Sequence, residues 1–497
     1  MKKIYIWILI FLFVNIGKAQ NIAFEQVEPN PADPYNSGNL SGGLYCSIAF
    51  ADVDNDNDQD VLITGNACYI PACTKLYTND GNGLYTAVVG ASIDNVREGS
   101  IAFADIDNDN DEDLLITGLA FYDPDYAHVY GITKLYRNDG SGSYTEVTGT
   151  PFDFVIHSSI AFADIDNDND QDVLITGLSL QGIISKLYRN DGNGNYTEVT
   201  GTPFNGVHFS SVAFTDIDND NDQDVLITGE RGYDANDSSM AKLYINDGSG
   251  NYTEKIGTPF WSVERGSVAF ADIDNDNDQD VLITGESSSY QRIAKLYTND
   301  GNGNFTEKTG TPFIGVCYSS IAFSDVDNDN DQDVLITGGI NNGSNHCIAK
   351  LYTNDGSGNF TEVSGTPFDG VELGSVAFAD IDNDNDQDVL VTGNNNSDKR
   401  TAKLYRNIST AIGISEHTVM DQISIYSNPN NGLVNIDLGI LKNVSIKVFN
   451  VYGQLIFQKE NINTSIYQFD LNKTQGIYFI RLEPEGQNPN SFKLFVE

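Results

Sequence analysis

A nine-residue aspartate ladder occurs seven times in this chain, and its spacing limits what the chain can fold into. The first copy reads D-V-D-N-D-N-D-Q-D, and V-L-I-T-G completes the run from Asp52 to Gly65. The other copies begin at Asp105, Asp164, Asp216, Asp272, Asp325 and Asp380, each 52 to 59 residues after the one before. A period in that range marks supersecondary units that are stacked or arranged radially. Within the third unit, four short runs read as strands A to D: residues 159–165, 172–177, 185–190 and 195–201. They are rich in Ile, Val, Phe, Tyr and Thr and bounded by Gly, Asn and Asp. The C–D link is N-D-G-N-G. An Asp-Gly pair between strand patterns signals a hairpin, because Gly takes positive φ. No stretch sustains a helical period, so the chain is all-β, and a unit of this size with four strands matches a propeller blade.

The seventh unit runs through residues 402–407 and then lacks a strand D. Residues 22–29, I-A-F-E-Q-V-E-P, carry the strand D pattern and lead into the first strand A. A closed ring explains both facts, whereas an open solenoid would want special capping repeats. The expectation is a seven-bladed β-propeller over residues 20–407, with the N-terminal strand completing the last blade. Residues 408–420 read as a linker. From 421 to 497 a different alternation predicts a small antiparallel, Ig-like β-sandwich.

Charge adds a second constraint. The 497 residues carry 71 Asp+Glu against 27 Lys+Arg, a formal charge of −44, which excludes a nucleic-acid partner. The ladders hold 35 of those 71 acids, and so regular a placement points to cation ligands. Residues 1–19 read as a signal peptide, with Lys2 and Lys3 before an apolar run and Gly17-Lys18-Ala19 at the cleavage point. That run is too short for a membrane anchor, which needs about 18 apolar residues, and no other stretch could span a bilayer, so the mature chain is expected to have no transmembrane segment.

The candidate metal ligands are Asp52, Asp54, Asp56, Asp58 and Asp60; Asp105, Asp107, Asp109, Asp111 and Asp113; Asp164, Asp166, Asp168, Asp170 and Asp172; Asp216, Asp218, Asp220, Asp222 and Asp224; Asp272, Asp274, Asp276, Asp278 and Asp280; Asp325, Asp327, Asp329, Asp331 and Asp333; and Asp380, Asp382, Asp384, Asp386 and Asp388. Numbering each ladder 1 to 9, these are the odd positions. Side chains 1, 3, 5 and 9 and the carbonyl of 7 can converge on one cation if the loop curls tightly. Asn55 and Asn57 can supply the left-handed backbone that such a curl needs. Hard oxygens in a forgiving geometry suit Ca²⁺, about one per blade, better than Mg²⁺, and zinc would want His or Cys.

These ladders, each between two apolar strands, resemble the FG-GAP (VCBS) repeat of integrin-α-like propellers and many secreted bacterial proteins. The resemblance covers residues 22–407 and implies Ca²⁺ bound in the A–B loop. Asn57 stands where that family usually has Gly. The C-terminal stretch resembles the type IX secretion system sorting domain through Y-S-N-P-N-N-G (residues 426–432), G-I-Y-F-I-R-L (476–482) and F-K-L-F-V-E (492–497). That resemblance implies the type IX secretion machinery as a partner and a place outside a Gram-negative cell, secreted or on the outer-membrane surface.

Strand polarity puts the A–B and C–D loops on one face and the B–C and D–A loops on the other. Only the second face varies between repeats. One position before strand A holds Tyr45, Glu98, His157, Phe209, Arg265, Tyr318 and Leu373. The first six are the candidate ligand-binding residues, with Tyr122, Tyr126, Tyr130, Tyr233, Tyr290 and Trp261 on the same face. No nucleophile elbow, H-E-x-x-H or supported Cys/His pair is present, so the expected role is binding or adhesion to an extracellular protein or glycan, without catalysis. A glycan-binding lectin and a polysaccharide lyase are the alternatives, the latter because His157 and His208 fall in adjacent slots. Cys317 and Cys347 are expected to form a disulfide, and two of Cys46, Cys68 and Cys73 are candidates for another.

Overall fold

The computed structural model describes residues 22–27, 40–66, 72–121, 129–232, 239–340, 346–409, 424–426, 433–438, 442–450, 454–471, 476–483 and 490–496. The expected signal at 1–19 and most of the expected linker at 408–420 lie outside them. The described residues are all-β, without a helix, and fall into two compact units, 22–409 and 424–496.

In the first unit, repeats 1 to 5 each form a four-stranded antiparallel sheet in chain order A-B-C-D. Repeat 3 shows the pattern with strands Ile156–Ala163, Asp172–Ser179, Gly182–Asn190 and Tyr196–Glu198. Its strand B is buried through D-V-L-I-T-G, which is why that stretch is a continuous apolar run and not an alternating one. Repeats 6 and 7 share one sheet, because Val371–Glu372 pairs with both Ile348 and Asn394–Asn395. In that sheet the N-terminal strand Phe24–Gln26 lies antiparallel to Arg400–Asn407, with Phe24 opposite Asn407 and Gln26 opposite Tyr405. The first residues of the unit thus supply the strand that repeat 7 lacks.

Seven hydrophobic clusters fill the junctions between successive repeats. Between repeats 2 and 3, for example, Ile106 and Leu115 pack with Ile175 and Tyr188. Between repeats 7 and 1, Ile381 and Leu390 pack with Val61 and Tyr77. The packing circuit therefore closes. The first strand of repeat 1, Leu44–Ala51, touches its counterparts in repeats 2 and 7, Ile101–Ala104 and Val376–Ala379.

The expected disulfide is not formed. Cys317 and Cys347 are free, buried thiols, as are Cys46 and Cys73. Register explains it: Cys317 lies opposite Gly339, and Gly339 lies opposite Cys347. Two strand spacings place the Cα atoms about 10 Å apart, beyond the roughly 7 Å that a disulfide spans. The Cys347 thiol instead lies 3.0 Å from the Gly370 carbonyl. Cys68 is outside the described residues.

The C-terminal unit holds a three-stranded sheet (Ser424–Tyr426, Leu433–Asp437 and Ile466–Asp470) and a four-stranded sheet (Leu455–Ile462, Val444–Asn450, Gly476–Glu483 and Asn490–Val496). Val434, Ile436, Ile446, Val448, Ile480 and Leu494 form one core from both sheets.

Candidate metal centres and the bulge ring

Each ladder is a curl tied by its own carboxylates. Asp52 at position 1 accepts from the amides of Asp56 (3.1 Å) and Asn57 (2.8 Å), and Asp56 accepts from the amide of Asp58 (3.0 Å). Asp60 at position 9 is fully buried and accepts from the amides of Val53 (3.0 Å) and Asn79 (2.7 Å). Asn55 and Asn57 have φ of 61° and 70°, and the Asn pair of every other ladder is left-handed too. The side chains expected to permit the curl do so.

This curl brings carboxylate oxygens of positions 1, 3 and 9 within 4.8 Å of one another, as in Asp52, Asp54 and Asp60 or Asp105, Asp107 and Asp113. In the fifth ladder the group is Asp272, Asp274 and Asp276. Such clusters can hold a metal ion. Their donor set fits a hard cation. Oδ1 of Asp54, Asp107, Asp166, Asp218, Asp274 and Asp382 is buried with no hydrogen-bond partner, one orphaned oxygen in each of six ladders. Burial pushes Asp60, Asp113, Asp172, Asp224, Asp280 and Asp388 up to about 7 and Asp333 to about 8, against the pull of two backbone amides each. A cation among these oxygens reverses that cost.

Position 7 does something the sequence did not reveal. Its carboxylate turns to the neighbouring repeat and accepts from the Asn at position 4 there: Asn55 to Asp111 (2.7 Å), Asn108 to Asp170 (2.9 Å), and on around to Asn383 and Asp58 (2.7 Å). The remaining links are Asn167 to Asp222, Asn219 to Asp278, Asn275 to Asp331 and Asn328 to Asp386. The same carboxylate presses on the first Gly of the N-D-G hairpin. A Cβ on Gly81 would lie 2.6 Å from Asp58, so that Gly serves close approach as well as its φ of 72°.

A second ring lies at the other end of strand A. There the register slips: Leu44 faces Asn66 and Ser47 faces Thr64, so Tyr45 and Cys46 oppose Gly65 alone. In this bulge the first residue is left-handed, a place that normally takes glycine. It holds Tyr45 (φ 52°), Glu98 (57°), His157 (49°), Phe209 (44°), Arg265 (52°), Tyr318 (48°) and Leu373 (55°). Backbone bonds link most neighbours among them, including Tyr45 N–H to the Leu373 carbonyl (2.6 Å), His157 to Glu98 (2.6 Å) and Leu373 to Tyr318 (3.1 Å). The Gly of V-L-I-T-G is required opposite the bulge, since a Cβ on Gly65 would sit 2.6 Å from Cys46 Sγ.

All seven side chains line one open cavity of about 150 Å³. His157 stacks on Phe209 with centroids 4.0 Å apart, and the Arg265 guanidinium lies 4.9 Å from the Phe209 ring and 5.7 Å from Tyr318. Arg265 also pairs with Glu264 and, at 3.4 Å, with Glu230. Burial, then the nearby His208, Arg265 and Arg97, lowers His157 to about 4, so it is neutral at ordinary pH although Glu98 is 3.6 Å away. His208 is itself buried, its ring centre 6.4 Å from that of His157. Of the face aromatics, Tyr130 and Tyr290 are exposed and Trp261 carries Lys295 over its ring at 4.7 Å. Tyr122, Tyr126 and Tyr233 lie outside the described residues.

The FG-GAP-like repeat family model matches residues 272–336 and 325–391, and that of the secretion system C-terminal sorting domain matches residues 424–497. The chain carries FG-GAP-like repeats and a type IX sorting domain. The sorting domain directs export by type IX secretion and implies contact with that machinery. Among the described residues, no helix is long and apolar enough to cross a membrane. No curated protein matches the sequence. Solved structures similar to the chain include AofleA from Arthrobotrys oligospora (9% identity, 69% of this chain and 91% of that one, TM-score 0.36). Another is a β-fructofuranosidase from Schwanniomyces occidentalis complexed with fructosyl-erythritol (9% identity, 95% and 86%, TM-score 0.32). The FG-GAP ladders and the bulge ring lie at opposite ends of every strand A that was matched.

Proposed function

We propose that this is an exported, calcium-binding, seven-bladed propeller that binds an extracellular protein or glycan at the bulge ring, without catalysis. Residues 1–19 act as the signal peptide and the C-terminal unit as an Ig-like sandwich read by the secretion machinery at the outer membrane of a Gram-negative cell. Each ladder takes one Ca²⁺, held by the carboxylates at positions 1, 3, 5 and 9 and the position-7 carbonyl. The ion supplies charge neutralisation to a loop that is otherwise all acid.

The observation that carries the binding reading is the strained ring. A left-handed residue with a side chain costs about 1 kcal/mol or more, a cost glycine escapes. Seven positions bear it, and none is glycine or asparagine. Strain of this kind gathers where side chains have a task, and here the seven side chains converge on one cavity. A pull-down from the natural surface tests it. Exchanging Tyr45, His157, Phe209, Arg265 and Tyr318 for Ala should abolish capture and leave the Ca²⁺-dependent melt unchanged. Capture that survives this set, but fails when Asp58 and its equivalents are changed, would put the ligand on the ladder face.

A further inference from the structure

The seven ladders are nearly alike in sequence, but the cations beside them differ. In repeats 4 and 5, Lys255 and Lys308 donate to a carbonyl of the next repeat's glycine loop, at Asn302 (2.9 Å) and Ser357 (2.7 Å), where repeats 1 and 6 have Val88 and Val363. The residue before the last Asn of strand C is Arg137 in repeat 2, Arg189 in repeat 3 and Arg406 in repeat 7; in the others it is Thr78, Ile245, Thr298 or Thr353. Each Arg reaches the position-3 carboxylate of its own ladder. Nε lies 2.6 Å from Asp107 Oδ2, 2.8 Å from Asp166 Oδ2 and 2.5 Å from Asp382 Oδ2. The Nη2 of the same three guanidinium groups donates to a carbonyl of the next repeat's glycine loop, at Asn193 (3.0 Å), Ser249 (3.0 Å) and Asn82 (2.9 Å). The guanidinium is thereby fixed beside the ladder from two sides. In each of the three carboxylates, Oδ1 is the orphaned, buried oxygen.

We propose that Arg137, Arg189 and Arg406 lower the affinity of their own ladders, with repeats 2, 3 and 7 binding calcium more weakly than repeats 1 and 6, which have neither the Arg nor the Lys. This rests on the calcium reading above. The geometry leaves one oxygen of the position-3 carboxylate for the cation and gives the other to a permanent positive charge. That fixed positive charge would repel a divalent ion held by the other oxygen. Arginine stays protonated at any relevant pH, so the effect is constant. At a few ångströms and partial burial, one unit charge is worth about tenfold or more in affinity. The reward for keeping the Arg is that these three ladders are braced in the absence of metal.

Calorimetric titration of Ca²⁺ into the decalcified full chain should resolve a tighter class and a weaker class, the weaker including the three sites beside Arg. The triple variant R137T/R189T/R406T, which copies the residue of repeat 1, should move those three sites to the tighter class, a gain of about tenfold or more. The reciprocal T78R should add one more weak site, and it keeps the idea testable if the triple variant fails to fold. Calcium binding that is unchanged or weakened in the triple variant, or unchanged in T78R, overturns the inference and leaves the calcium reading standing. Absence of calcium binding by the natural chain sinks both.

Discussion

At the residue scale, the bulge ring separates two kinds of left-handed residue. The ladder asparagines were legible in the sequence, because Asn enters that region readily and lies mid-curl in every copy. The ring residues were legible as a varying set but not as strained ones. Tyr, Phe, Leu and Arg carry no signature of positive φ, so the register slip that imposes it stays hidden until strand A is paired. The faint signal was on the opposite strand, in the Gly that closes every V-L-I-T-G. Strain and packing are separable by experiment. Phe209→Gly and Phe209→Ala lose the same ring, yet only Ala keeps the strain. The Gly variant should be the more stable by about 1 kcal/mol in urea unfolding. Equal stability would mean that the backbone relaxes and the ring stores nothing.

At the element scale, the hairpins and the four-strand order followed from Asp-Gly pairs and short apolar runs. The junctions did not, because the residues that make them read as ordinary turn residues. The Asn ending strand C is the case in point. Asn79 is buried, and its side-chain amide donates to the Ile381 carbonyl (2.8 Å); Asn138 does the same to Val53 and Asn407 to Val326. Removing the donor leaves a buried carbonyl unmet, so Asn79→Ala should cost about 1–3 kcal/mol. Asn55→Ala, at an exposed link, should cost less, about 0.5–1 kcal/mol. Chemical denaturation of the two variants checks the order, and a reversal would mean that the exposed circuit carries the junctions. The cysteine expectation failed at this scale too. Cys317 and Cys347 were placed at one end of a repeat correctly, but the strand between them could not be counted without register.

At the scale of the whole molecule, ring closure was readable because a missing strand at one end matched a spare strand at the other. What could not be read was how the acids divide their work. Positions 1, 3 and 9 gather, while position 7 turns outward to the next repeat. With dissociation constants of about 10⁻⁴ to 10⁻³ M, about 1 mM calcium stabilises by about 0.4–1.4 kcal/mol per site. With one site per ladder, as proposed, seven would contribute about 3–10 kcal/mol, a large part of a typical domain's stability. Chelation with EDTA should therefore lower the melting temperature sharply, and an unchanged melt with no calcium by elemental analysis would refute the metal reading.

The pairing of Phe24 with Asn407, together with the bond from the Ile408 amide to the Ala23 carbonyl at 2.8 Å, leaves the two ends of the repeat unit side by side. Every repeat both gives and receives a clasp, so none is terminal. A chain whose ends here were joined and which was opened instead at another D–A loop would bury the same residues in the same junctions. Which repeat counts as the first is then a fact about where the polypeptide starts, and the folded circle carries no mark of it beyond one interrupted strand connection.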